Sequence, residues 1–445
     1  MAKTAAVIGA GWAGCAAAVE LANAGYQVTL FEAARTLGGR ARAVEVNGTL
    51  LDNGQHILLG AYAETLRLMR LTGIERDQAV LTLPLQMRYP PGHGMDFVAP
   101  RLPAPLHLAI ALLRATGLAS ADKMALARFS TTARWMDWTL HNDCSVSELL
   151  ERYDQTPRLV QLMWRPLCLA ALNTPLERAS AQVFLNVLRD SLGARRSSSD
   201  MLLPRADLST LFPSAAAALV EAHGGTVRLG AKVQAVRPQA GGWQIEATGN
   251  AVDGQWHSRA DVVVLAAGAP ASAPLLAQLG QTALAAQLDA FEYEPIATCY
   301  LQYPTSTTLA LPFYALVDDP ANSHWGQFVF DRGQLDIVQS GLFAVVISAS
   351  TAATALGREA LAAAIAEQLA AVLGRPELRT PLWSQVITEK RATFACTPGL
   401  QRPGVDGGLP GLAIAGDYTA SDYPATLEAA VRSGVAAAKA VQSQA

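Results

Sequence analysis

Residues 4–14, Thr-Ala-Ala-Val-Ile-Gly9-Ala-Gly11-Trp-Ala-Gly14, decide how the rest of the chain is read. A short β-prone run ends in glycine, and a helical pattern follows through Leu21 until Gly25 stops it. Gln27 to Glu32 then reads as a second strand, so the chain opens on a βαβ unit. The glycines have separate tasks: Gly9 permits a tight turn, Gly11 lets a pyrophosphate approach the backbone, and Gly14 lets helix and strand pack closely. Unpaired amides at the helix start, with the dipole behind them, suit an anion. Glu32, eighteen residues past Gly14, closes the second strand and is placed to accept hydrogen bonds from a ribose. An acid there disfavours a 2′-phosphate, which leaves NAD and FAD.

The stretch beyond Glu32 separates those two. Glu32-Ala-Ala-Arg-Thr-Leu-Gly38-Gly39-Arg40 runs past the acid into a glycine pair, which allows a second close backbone approach. Arg40 can neutralise pyrophosphate or bond near a ribityl chain. At the far end, Gly416-Asp417 follows the apolar run Leu412 to Ala415, and Asp417 is suited to a ribityl hydroxyl. Asp422 to Glu428 opens a last helix, expected from about Ala425 to Ala440, with Pro424 suited to its first turn. With Ala425, Thr426 and Leu427 facing a flavin pyrimidine ring, the positive helix end would stabilise charge on the reduced ring.

The 445 residues suggest two to four domains. Lys+Arg is 34 against Asp+Glu 37, a net charge of −3, which offers no field for gripping nucleic acid. Charged residues are 16% and hydrophobic ones 51%, an apolar excess that implies large cores, a greasy cavity or a membrane-facing patch. Cys15, Cys144, Cys168, Cys299 and Cys396 are scattered without a CxxC, so neither a metal site nor a disulfide framework is expected, and a reducing cytoplasm fits. No GxSxG or comparable nucleophile arrangement is present. No apolar run is long enough to span a bilayer, and the Ala-rich start, with only Lys3 as its basic residue, reads as mature protein.

Further strands are expected at Thr226 to Leu229, Lys232 to Val236, Asp261 to Ala266 and Leu412 to Ala415. Nucleotide-fold features therefore fall in 1–75, 205–285 and 385–445. The intervening 76–204 is helix-rich, and 290–384 begins with alternating strands at Ala297 to Tyr303 and Phe343 to Ser348 before a helix from about Arg358 to Leu373. The expected fold is α/β: a discontinuous Rossmann-like domain with an inserted α+β substrate domain made of 76–204 and 290–384. Trp135, Trp138 and Trp164 are expected in the core. Leu102 to Arg114 is the most membrane-like stretch, suited either to a buried helix or to one lying in an interface.

The two terminal sets together resemble the flavin amine oxidase and phytoene desaturase superfamily. Leu51-Asp52-Asn53-Gly54-Gln55-His56, continuing to Tyr62, and Tyr423-Pro-Ala-Thr-Leu-Glu428 with Arg432-Ser-Gly434 are similar to segments of its squalene-associated FAD-dependent desaturases. Position 43 is Ala, where many members carry Thr or Ser. The resemblance implies bound FAD, held by Gly9, Gly11, Gly14, Glu32, Gly38, Gly39, Arg40, Val233, Gly416, Asp417, Ala425, Thr426 and Leu427. It also implies hydroxysqualene dehydroxylase activity in squalene and hopanoid synthesis. There a proton donor would release an allylic hydroxyl as water and a flavin hydride would replace it. His56, Tyr62 and Asp52 are the candidate donors, with His56 preferred for its near-neutral pKa. The implied partners are a long-chain isoprenoid lipid, the inner face of the cytoplasmic membrane as a peripheral contact, and an external electron donor. A phytoene-type desaturase, an amine oxidase and a non-catalytic isoprenoid-binding flavoprotein are the competing readings.

Overall fold

The computed structural model describes residues 3–193, 195–249 and 254–444. Its centre is a five-stranded parallel sheet, in the order Thr226–Leu229, Gln27–Glu32, Thr4–Ile8, Val262–Leu265, Leu412–Ile414. Parallel strands need long crossovers that cover both faces, so these strands are apolar runs rather than alternating ones. Val262–Leu265 is buried at every position. Ala5, Val7, Val28, Leu30 and Val264 point to one face, where they meet the helices Trp12–Asn23, Pro213–Ala222 and Leu427–Gln444. Alanines and glycines let the first and last of these helices touch backbone to backbone: a Cβ on Gly434 would fall 2.1 Å from the Ala13 carbonyl oxygen. Ala6, Ile8, Phe31, Val263 and Leu265 point the other way, into the largest core, which includes Trp243 and Ile245 of a three-stranded antiparallel sheet.

A second five-stranded sheet is antiparallel, in the order Phe313–Ala315, Phe328–Asp331, Leu342–Ile347, Tyr293–Gln302, Trp383–Phe394. Its Ala297, Cys299, Leu301, Phe343 and Val345 pack under the helix Arg358–Leu373. Tyr300, Phe330 and Ala344, on the opposite face, join the largest core together with the helices of the first insertion. The expected boundary at 385 needs correction. Trp383–Phe394 pairs along its length with Tyr293–Gln302, so it belongs to this sheet and the return to the parallel sheet comes after it.

Two local expectations also change. The last helix begins at Leu427 rather than near Ala425, and Thr426 caps it by accepting from the Ala429 amide at 3.1 Å; Pro424 therefore lies ahead of the first turn. Trp138 and Trp164 are core, whereas Trp135, at the end of Ser120–Trp135, is 88% exposed. Among the described residues no helix is long and apolar enough to cross a membrane.

Candidate functional site

The turn from Thr4–Ile8 into Trp12–Asn23 is built from backbone alone. Gly9 has φ +104°, and a Cβ there would stand 2.8 Å from the Ala266 carbonyl group. A Cβ on Gly14 would meet the Gly9 carbonyl oxygen at 1.8 Å, so the helix rests directly on its own turn. Gly11 precedes the helix with no side-chain cap among the described residues, and no acid occupies the first turn. The first amides are thus left to an external anion. Glu32 accepts from the Ala10 amide through Oε2 at 2.7 Å and from the Ala34 amide through Oε1 at 2.8 Å. Those bonds hold the carboxylate at the strand end, and each oxygen keeps further lone-pair capacity for a hydroxyl. The Gly230 amide donates to the Ala34 carbonyl at 2.9 Å, which brings the strand of Val233, Ala231–Gln239, beside that acid.

The glycine pair closes over this turn. Gly38 adopts φ +110° and donates its amide to the Ala10 carbonyl at 2.9 Å, while a Cβ on Gly39 would lie 3.1 Å from Gly11 Cα. A backbone cradle that Cβ atoms would fill, open amides at a helix start and an acid on the neighbouring strand fit the pyrophosphate and ribose of FAD. Arg40 then joins the two ends of the chain. Its Nη2 pairs with Asp417 Oδ1 at 2.5 Å and its Nη1 donates to the Ala392 carbonyl at 2.7 Å. Burial works against the guanidinium charge, but Asp417 outweighs it and the Arg40 pKa is raised. Asp417 is 7% exposed and commits one oxygen to Arg40 rather than facing outward alone. Behind it, the Gly416 amide donates to Ser433 Oγ at 2.8 Å, and Ala425, Thr426 and Leu427 lie half-buried at the terminal helix start.

The segment Asp52 to His56 is bolted to the same junction. Asn53 Nδ2 donates to the Arg40 carbonyl at 2.9 Å and to Glu389 Oε2 at 3.1 Å. Asp52, 4% exposed, accepts from the Leu208 amide at 2.8 Å, and its own carbonyl accepts from the Tyr300 hydroxyl at 2.9 Å. Burial raises the Asp52 pKa to about 6, against the pull of Arg332 and the Leu208 amide. His56 Nδ1 lies 2.7 Å from the Gly54 carbonyl, so Nδ1 carries the proton and Nε2 the lone pair of the neutral ring. Burial lowers the His56 pKa and the Arg40 charge adds to that, with the Gly54 bond opposing. At pH 7 the resting ring is therefore neutral, with Nε2 free to accept a proton or a hydrogen bond. Tyr62 leads into the helix Ala63–Leu71, and burial followed by the charge of Glu428 raises its pKa, keeping the phenol protonated.

Three supports escaped sequence reasoning. Glu428 is fully buried and caps Ala63–Leu71 from afar: it accepts from the Glu64 amide at 3.1 Å, the Thr65 amide at 2.9 Å and the Thr65 hydroxyl at 2.8 Å, and pairs with Arg432. Only the four-residue spacing to Arg432 was visible beforehand. Arg332, 4% exposed and just past the strand Phe328–Asp331 of the second sheet, donates to Gln55 Oε1 at 3.0 Å. Ser209 accepts from the Ala43 amide at 2.9 Å and donates to the Leu37 carbonyl at 2.7 Å, so a hydroxyl does reach the position where Ala43 has none. No local pattern announces the last two.

The fold and the cradle define a flavoprotein oxidoreductase, and the chain belongs to the flavin containing amine oxidoreductase family, whose model matches residues 12–442. It is an FAD-dependent enzyme. Among individual proteins it is similar to hydroxysqualene dehydroxylase of Rhodopseudomonas palustris, 30% identical over 99% of each chain. The enzyme of that name from Sinorhizobium fredii is 29% identical over 100% of this chain and 99% of its own. A probable zeta-carotene desaturase of Synechococcus elongatus matches at 23% over 98% of each. Among solved structures, an oxidoreductase from Methanosarcina mazei superposes with TM-score 0.72 at 16% identity, covering 98% of this chain and 100% of that one. A putrescine oxidase bound to putrescine gives TM-score 0.67 at 18% identity over 100% and 99%; both likenesses concern the fold.

Proposed function

We propose that this chain reduces hydroxysqualene to squalene, a step in squalene formation. The end-to-end similarity to hydroxysqualene dehydroxylases at 27–30% identity carries the reading. The balance is an allylic alcohol plus hydride plus proton giving hydrocarbon plus water. Bound FAD, reduced by a donor outside this chain, would supply hydride. The protein supplies the rest. The helix start at Gly11 and the Glu32 carboxylate bind the dinucleotide, and the Arg40–Asp417 pair closes the two chain ends around it. Buried Asp52, half-protonated near pH 6, and His56 hold protons beside the junction. The apolar face of the second sheet, with Phe313, Phe330 and Ala344, excludes water from a carbocation that solvent would trap. The deciding experiment is anaerobic incubation of reduced protein with hydroxysqualene, following flavin reoxidation and squalene together. Reoxidation without squalene, or neither, sinks the reading. The full-length match to a zeta-carotene desaturase supports a second reading, hydride abstraction from a polyene, which product analysis with phytoene separates.

The lipid substrate implies a lipid surface, and the first insertion supplies a face for it. Leu106 and Leu113 of the helix Leu106–Arg114 are 56% and 69% exposed, and Met124 and Trp135 of the next helix 62% and 88%. Met124, Arg128 and Trp135 recur at helical spacing on one side, opposite buried Ala125, Phe129 and Ala133. Arg101, Arg114, Arg128 and Arg134 are exposed around these residues and form no ion pair among the described residues. Apolar anchors ringed by uncompensated arginine match the anionic surface of a bilayer.

A further inference from the structure

Tyr300 reaches the Asp52 carbonyl, so that face of the strand Tyr293–Gln302 turns toward the Asp52–His56 segment. Thr298 lies two residues away and shares the face. It is 1% exposed, its Oγ1 has no hydrogen-bond partner among the described residues, and its strand neighbours are Val346 and Ile387. A hydroxyl buried among apolar groups ordinarily finds a partner. Gly54 shows where one would sit. A Cβ built on Gly54 would stand 3.8 Å from Thr298 Oγ1 and 3.8 Å from His56 Cε1, with nothing nearer. Gly54 is buried and has no left-handed φ, so the backbone does not demand glycine there. The missing side chain leaves a gap with a hydroxyl on one side and the imidazole edge on the other. On that ring Nδ1 is spent on the Gly54 carbonyl, and Nε2 has no partner among the described residues.

We propose that this gap is the subsite for the substrate's hydroxyl: Thr298 Oγ1 donates to the alcohol oxygen, and His56 Nε2, left free by the Nδ1 bond to Gly54, accepts from the alcohol O–H. The inference rests on the alcohol-reduction reading and adds its recognition element. A hydrocarbon product offers neither group, so the site holds substrate and releases product.

The test compares hydroxysqualene with squalene, each in detergent, binding to FAD-loaded oxidised protein and followed by the change in flavin absorbance. Wild type should prefer the alcohol. Thr298→Val, similar in shape and lacking the hydroxyl, should reduce that preference about three- to ten-fold, and Thr298→Ser should restore it. Gly54→Ala, whose methyl has ordinary contacts, should fold, retain FAD and lose the preference by filling the gap. An unchanged preference in both Thr298→Val and Gly54→Ala overturns the subsite. So does the absence of any preference in wild type, or loss of FAD from Thr298→Val, which would assign the hydroxyl to the cofactor. Turnover is scored separately. Alcohol preference without squalene formation sinks the dehydroxylation reading and leaves the subsite standing. Normal squalene formation at unchanged KM in Thr298→Val sinks the subsite alone.

Discussion

Asp52→Asn isolates the cost of holding a charge at the heart of the site. The buried carboxyl titrates at about 6 against an ordinary 3.8, a displacement worth about 3 kcal/mol. The sign follows from the direction. A folded-state pKa above the unfolded one means that the native protein binds this proton more tightly, so its contribution is fully present below pH 3.8 and is lost as pH rises through 6. Asparagine keeps an oxygen for the Leu208 amide and removes the charge. Its extra N–H group adds an offset that does not vary with pH, so the slope rather than the offset carries the information. Relative to the parent, the variant should gain about 2.4 kcal/mol between pH 4 and pH 7.5, most of it between pH 4 and pH 6.5, the remainder of the ~3 kcal/mol falling below pH 4. Urea unfolding of the FAD-loaded protein at half-unit pH steps measures this. Parallel curves would show that Asp52 is not desolvated in the folded state. A relative loss with rising pH would show that Arg332 holds it as a net favourable ion pair.

Glu32→Ala should weaken FAD retention about ten- to hundred-fold, the worth of charge-assisted bonds, with flavin released on dilution; equal retention removes Glu32 from the ribose. If protonated His56 is the acid that releases water, squalene formation should rise as pH falls toward a histidine pKa below the usual value, and His56→Gln should erase that limb while keeping FAD. A profile indifferent to His56→Gln would pass the proton to Asp52 or Tyr62. Trp135→Ser combined with Leu113→Ser should cut binding to anionic vesicles at least ten-fold in a flotation assay, with activity on detergent-dispersed substrate unchanged. Equal flotation would mean that this face is not the lipid contact.

The linear chain by itself determined the parallel-sheet layers and the glycine turn between the first strand and its helix. Glycine at 9, 11 and 14 between an apolar run and a helical pattern is a local consequence of backbone sterics, and Arg358–Leu373 was legible because an Ala- and Leu-rich run bounded by Gly357 and Gly374 carries high helix propensity of its own. Helix starts and buried environments were not local. Pro424 looked like a first-turn residue, yet the helix starts at Leu427 with Thr426 as its cap, and Glu428 in its first turn reaches across to hold Ala63–Leu71. Trp135 looked like core and lies outside because its helix buries the opposite face. Only the tertiary structure decided that Arg40 meets Asp417, that burial lifts Asp52 and neutralises His56, and that Thr298 from the second sheet faces Gly54. These depend on desolvation or on contacts between distant residues, more than two hundred positions apart for Arg40 with Asp417 and Asp52 with Tyr300, which no spacing along the sequence encodes.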